Sequence, residues 1–139
     1  MIDAQDGAEL WSFNADRRMY PASLTKMMTG ALACEQNQLD RVVTISQRAE
    51  NVPETGIGLK AGERMTVGDL ARAALIWSAN DAALALGEAV SGNVDSFVTL
   101  MNQRAREWGV VNTHFVNPHG LHQNDHYATA RDLGIIAVA

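Results

Sequence analysis

The chain has 139 residues, 47% of them hydrophobic, with a single cysteine. That is enough to bury one sizeable core, and it excludes collagen-like, low-complexity and disulfide-stapled classes. A formal net charge of −5 with both signs interspersed leaves no basic face for nucleic acid and no polybasic stretch for an anionic membrane. The apolar runs near Ala73–Trp77 and Ala82–Leu86 are interrupted by Ser78, Asn80 and Asp81, so no transmembrane span is expected. Asp3 and Asp6 stand where a secretory leader would need basic and then apolar residues, so no signal peptide is expected either.

Ile2–Gln5 and Glu9–Phe13 flank an Asp6-Gly7 turn and predict a β-hairpin. Pro21, with its fixed φ and no amide hydrogen, then opens a helix over about 22–37, in which Leu24, Met27, Met28, Ala31 and Leu32 recur at helical spacing. Cys34 falls among alanines on that helix and reads as a small buried filler. Val42–Ser46 predicts a short strand, and the glycine-bearing stretch Thr55–Thr66 a connection or small hairpin. Thr66 and Asp69 form a capping pair for a helix through Trp77. Asn80 and Asp81 open the next helix, which Gly92 closes, and Asn93 caps one that Gly109 stops. After a polar loop, Thr129 and Asp132 offer a further capping pair for a last helix that runs to Ala139. The tryptophans read as core or hairpin packing, with Trp77 placed to touch a ligand because it adjoins Ser78. Two strands alone make a marginal sheet with open edges, so further strands are expected to lie elsewhere.

Two stretches carry chemistry. In "YPASLTKMMTG", Ser23 falls in a first helical turn, where unpaired N–H donors and the positive end of the macrodipole favour an oxyanion, and Lys26 follows on the same face. A lysine of ordinary pKa costs about 4.6 kcal/mol to deprotonate at pH 7. Burial can remove most of that and make Lys26 a base for Ser23. Taken alone, the pair also describes a helix cap followed by a solvated lysine. In "WSANDAALALGE", Ser78 and Asn80 stand where two helices join; a hydroxyl there can relay a proton, and an amide can bond both a lysine and a substrate carbonyl. Alone, these too read as helix-stop and helix-start residues.

Together, "PASLTKMMTG" and "SANDAALALGE" resemble the first and second motifs of the serine penicillin-binding proteins, and specifically the low-molecular-mass D-alanyl-D-alanine carboxypeptidases. The likeness extends through "IDAQDGAELWSFNADRRMYPASLTK", "GLKAGERMTVGDLARAALIWSANDAA" and "NTHFVNPHGLHQNDHYATARDLGIIA", essentially the whole chain. It implies an α+β, β-lactamase/transpeptidase-like fold, with residues 1–139 as one incomplete catalytic domain: a hairpin over 2–14 from a larger antiparallel sheet, then a helical region over 22–139. It also implies Ser23 as nucleophile, Lys26 as general base, Ser78 as proton relay to the leaving D-alanine, and Asn80 as a residue that positions Lys26 and binds substrate. The implied substrate is a peptidoglycan stem peptide ending in D-Ala-D-Ala. β-Lactams would be covalent inhibitors, there would be no cofactor, and the location would be the periplasm or extracytoplasmic envelope.

The family's third motif, K-T-G or K-S-G on a strand, does not occur in these residues. This makes the fragment expected to be inactive by itself, and it keeps open a non-catalytic binder of penicillin or cell-wall peptides beside the carboxypeptidase. A D,D-endopeptidase shares the visible motifs. A class A β-lactamase fits less well, because the second motif reads S-A-N and no E-x-x-x-N segment follows. His114, His119, His122 and His126 lie close together, but their spacing is not that of a helix-borne zinc pair, and "NPHGL" reads as a structural loop.

Overall fold

The structure is a computed structural model that describes residues 1–139. A 3₁₀ turn at Ala22–Leu24 leads directly into α1 (Thr25–Glu35), followed by β1 (Val42–Thr44), α2 (Gln47–Glu50), β2 (Arg64–Thr66), α3 (Val67–Ile76), α4 (Asn80–Ser91), α5 (Val94–Glu107) and α6 (Ala130–Val138). The capping signals read from sequence act as expected. The hydroxyls of Thr66 and Thr129 accept from the N–H groups of Asp69 and Asp132, the Asn93 side-chain oxygen accepts from Ser96 N–H, and Gly92 closes α4 at φ +80°.

The strands fall differently. β1 and β2 pair antiparallel, Val42 with Thr66 and Thr44 with Arg64, so the stretch up to Thr66 ends in a strand. The N-terminal hairpin is reduced to one bridge between Ile2 and Glu9. There Asp3 and Asp6 accept from Gln5 N–H and Ala8 N–H, which draws those donors into local turns instead of a ladder. The segment is instead held on α6, where Arg131 joins Glu9 and, at 2.8 Å, Asp16, and where Ile2 lies against Gly134. Beyond the bridge Trp11 stacks on Phe13 and stays 63% exposed. Trp77, 71% exposed, is not core either: it follows the last turn of α3, whose inward face is Val67, Leu70, Ala71 and Ala74. Cys34 is exposed, because the inward face of α1 ends at Leu32 and Ala33.

The helices share two contiguous cores. One joins α3 and α4 through Leu70, Ala74, Ala83 and Leu86, and the other joins α1, α5 and α6 through Met28, Leu32, Phe97, Met101 and Ile136. The small residues let the axes approach: a Cβ at Gly30 would lie 2.8 Å from Leu75, and one at Gly87 would lie 2.8 Å from Phe97. No helix is long and apolar enough to cross a membrane.

Two buried carboxylates anchor loops to helix ends. Asp132 accepts from Asn112 N–H at 2.7 Å and from the Thr113 hydroxyl at 2.8 Å. Asp81 accepts from the N–H groups of Ile57, Gly58 and Leu59 at 3.0–3.2 Å and pins the loop that leads towards Asn80. An amide at position 81 would turn its NH₂ against some of these donors. Asp81→Asn is therefore expected to lower unfolding free energy by about 1–3 kcal/mol, read as a fall in the urea midpoint with an unchanged slope; an unaltered midpoint would show that the loop is held by other contacts.

Candidate active site

The inward face of α1 carries three polar side chains, Thr25, Lys26 and Thr29, each 2% exposed or less. Buried polar groups need partners, and all three find them on other elements. Thr29 donates to the carbonyl of Pro118 at 2.7 Å, and the Thr25 hydroxyl is 2.8 Å from His126 Nε2. Lys26 Nζ donates to Asn80 Oδ1 at 2.8 Å, to the carbonyl of His119 at 2.7 Å and to Ser23 Oγ at 3.2 Å. An ammonium has three N–H donors, and here all three are used. Asn80 Oδ1 and the His119 carbonyl are acceptors only. A neutral Lys26 therefore keeps its two hydrogens on them and presents its lone pair along the remaining direction, to Ser23. Burial is the main influence on this amine and lowers its pKa to about 8, while the Glu54 carboxylate holds it higher than burial alone would. At pH 7 deprotonation then costs about 1.4 kcal/mol, against about 4.6 for a solvated lysine.

Ser23 lies in the 3₁₀ turn, between Ala22 at φ +48° and the start of α1. Its hydroxyl accepts from Ser78 Oγ at 2.8 Å, which leaves its own proton free to point at Lys26. Ser78 reaches this position because it has φ +58°. The N–H groups of Trp77 and Ala79 both donate to the Ala73 carbonyl, ending α3 and turning Ser78 into the cleft. The chain thus brings together all four residues singled out from sequence, Ser23, Lys26, Ser78 and Asn80. Ser23 stands between two clefts. One of about 440 Å³ lies towards Leu24, Leu75 and Ser78, and one of about 270 Å³ lies towards Glu54, Asn80, His119 and His122. A separate depression of about 500 Å³, between the N-terminal segment and α6, holds no such pair of nucleophile and base.

Sequence reasoning missed the part played by the 117–121 loop. Asn117 folds it, accepting from Gly120 N–H and donating to the Leu121 carbonyl, and this aims the His119 carbonyl at Lys26. The available signal was the row of polar residues on an otherwise apolar helix, Thr25, Lys26 and Thr29, which must be met by something. The four histidines separate: His126 turns to Thr25, His114 to the Asp125 carbonyl, His122 meets the Tyr20 ring edge-on, and His119 Nδ1 accepts from Leu121 N–H. No three ligating side chains gather anywhere in the chain. Burial, and then the charge of Lys26, push the His119 pKa down to about 4, so its ring is neutral at pH 7.

This constellation, on a helical framework that superposes on crystallised penicillin-binding proteins, defines the penicillin-binding, β-lactamase/transpeptidase-like class. The chain belongs to the D-alanyl-D-alanine carboxypeptidase family, peptidase S11, whose family model matches residues 1–139. It is 41% identical over 144 residues to the D-alanyl-D-alanine carboxypeptidase DacA of Haemophilus influenzae, and 37% identical over 142 residues to DacF of Bacillus subtilis. Those alignments cover 98% and 99% of this chain but 37% and 36% of the relatives. The crystal structure of penicillin-binding protein 5 from Haemophilus influenzae superposes with a TM-score of 0.91 at 41% identity, covering 99% of this chain and 42% of that one. The chain thus spans well under half the length of each of these relatives.

The site also fixes a requirement at Gly120, which has φ +90° and would place a Cβ 1.8 Å from the Ala22 carbonyl oxygen. The atoms it would meet, the carbonyl oxygen and carbon of Ala22, belong to the main chain, so an alanine there must displace either the turn bearing Ser23 or the loop bearing the His119 carbonyl. Gly120→Ala is therefore expected to lower the unfolding free energy by more than about 1 kcal/mol, read as a fall in the urea midpoint, and an unaltered midpoint would show that the turn and loop are not coupled.

Proposed function

We propose that this chain is the serine- and lysine-bearing part of the catalytic domain of a D-Ala-D-Ala carboxypeptidase, which removes the terminal D-alanine from peptidoglycan stem peptides in the extracytoplasmic envelope. The observation that carries this reading is the position of Lys26 Nζ, 3.2 Å from Ser23 Oγ with its other hydrogen-bond directions taken by Asn80 and the His119 carbonyl. Family membership over the full chain supports it.

In the first step neutral Lys26 accepts the Ser23 proton as Oγ bonds to the carbonyl carbon of the penultimate D-alanine. The carbonyl electron pair moves onto oxygen, favoured by the N–H donors at the start of the helix. Collapse of this intermediate breaks the C–N bond, and the proton held by Lys26 passes through the Ser78 hydroxyl, 2.8 Å from Ser23, to the departing amine. Water then attacks the ester, giving a proton to the again neutral Lys26, and Ser23 leaves as Lys26 returns that proton to Oγ. Asn80 keeps Lys26 oriented and offers its amide to the substrate backbone. A β-lactam would enter the same sequence, but its amide nitrogen stays tethered after ring opening, so the ester persists.

Two measurements follow, both on the complete protein that contains this chain. Incubation with benzylpenicillin should add the mass of one intact penicillin, because ring opening releases nothing, and peptide mapping should place it on Ser23. Ser23→Ala should show no addition, and an adduct surviving in that variant would remove Ser23 from the role. The second measurement is the pH profile of acylation. Only the neutral amine accepts the proton, and the pKa of Lys26 is lowered to about 8. The acylation rate should therefore rise with pH through about 8 and level off above it, and a profile flat between about pH 6 and 9 would exclude Lys26 as the base.

A further inference from the structure

His126 lines neither cleft beside Ser23 and is only 1% exposed, yet its ring reaches the start of α1. Val116 N–H donates to Nδ1 at 3.5 Å, so Nε2 carries the ring proton and donates it to the Thr25 hydroxyl at 2.8 Å. Burial, and then the charges of His114 and His122, lower the His126 pKa to about 4, so the neutral ring is the form present at pH 7. Phe115 packs edge-on to the imidazole at 5.9 Å and keeps the bond in the core. Thr25 is fully buried as well, and its hydroxyl bonds to that ring nitrogen and to nothing else.

The pair joins the reacting turn to the segment that faces it. Thr25 stands between Ser23 and Lys26 in the chain, and His126 stands just before Ala128, which exchanges both main-chain hydrogen bonds with Met19 at 2.9 Å. The stretch that carries Ser23 is therefore tied to the 126–128 segment at both of its ends, by Met19 in front and by Thr25 behind. Thr29 makes a further tie one helical turn on, to the Pro118 carbonyl, but beyond Lys26. The Lys26–Ser23 hydrogen bond cannot hold this geometry through the reaction, because proton transfer itself remakes it. The Thr25–His126 bond takes no part in the transfer and stays made throughout.

We propose that His126 is a positioning residue for acylation: by holding Thr25 it keeps Ser23 Oγ and Lys26 Nζ at reacting distance, although it bonds to neither. The inference rests on the Ser23 and Lys26 chemistry proposed above. The test uses the complete protein containing this chain and benzylpenicillin over a range of concentrations, which separates the dissociation constant of the first complex from the rate constant of acylation. His126→Leu and Thr25→Val remove the bond from its two sides. Each should lower the acylation rate constant about tenfold and leave the dissociation constant within about twofold, and the double variant should be no slower than the slower single one. His126→Gln, whose amide can bring an N–H to the place of Nε2, should recover most of the rate. If His126→Leu does not fold, Thr25→Val, which only exchanges a hydroxyl for a methyl group, carries the test. A merely structural role would lower the urea midpoint of the variants and leave the folded protein acylating at the wild-type rate. That result, or losses that add in the double variant, overturns the positioning role alone. A wild type that forms no adduct on Ser23 overturns the acylation reading and this inference with it.

Discussion

A lysine nitrogen inside the protein is the constraint to which the rest of this structure answers. An unpaired ammonium in a protein interior is costly enough either to lose its proton or to recruit acceptors, and Lys26 does some of each. Its acceptors come from three separate parts of the chain: the turn before α1, the start of α4, and the loop at 117–121. Satisfying one nitrogen therefore fixes the relative positions of three segments. The same contacts that make burial tolerable leave the amine one free direction, towards Ser23. The hydrogen bonds that hold these segments together are thus the ones on which the proposed role of Ser23 rests.

Backbone strain gathers at this point. Ala22, Glu54, Ser78 and Gly120 all have positive φ, and three of them carry side chains that disfavour it. Each is held from outside itself. Gly120 backs the Ala22 carbonyl, Asn80 brackets Glu54, and the end of α3 folds over Ser78 through the Ala73 carbonyl. Relaxing any of these residues into an ordinary conformation would swing Ser23, Ser78 or the cleft wall away from Lys26. The well-packed small-residue contacts of Gly30 and Gly87 supply the rigidity against which such strain is maintained.

Helix-start acids also serve twice. Asp132 sits in the first turn of α6, where a negative charge suits the macrodipole, yet its Oδ2 accepts from both Asn112 and Thr113. Asp81, in the first turn of α4, is spent on the N–H groups of 57–59. Both tie an irregular segment to the end of a rigid element, and in the second case that segment leads back to the wall of the active-site cleft.

The sequence by itself declared the ends of the longer helices and singled out the four residues that the fold brings together. Capping is local chemistry, so Thr66, Asn93, Thr129 and Gly92 declare helix ends within a few residues of themselves, and Ser23 with Lys26 and Ser78 with Asn80 announce themselves by spacing within a turn or two. What only the tertiary structure decided depends on partners far along the chain. The N-terminal hairpin shrank to one bridge because Asp3 and Asp6 captured its donors, while Arg64–Thr66 became a strand because Val42–Thr44 came to lie beside it. Cys34, Trp11 and Trp77 proved exposed because a helix or turn shows its hydrophobic residues without showing where its neighbours stop. The His119 carbonyl was beyond sequence reasoning for a simpler reason: every residue has a carbonyl, and only the path of the folded loop selects the one that meets Lys26.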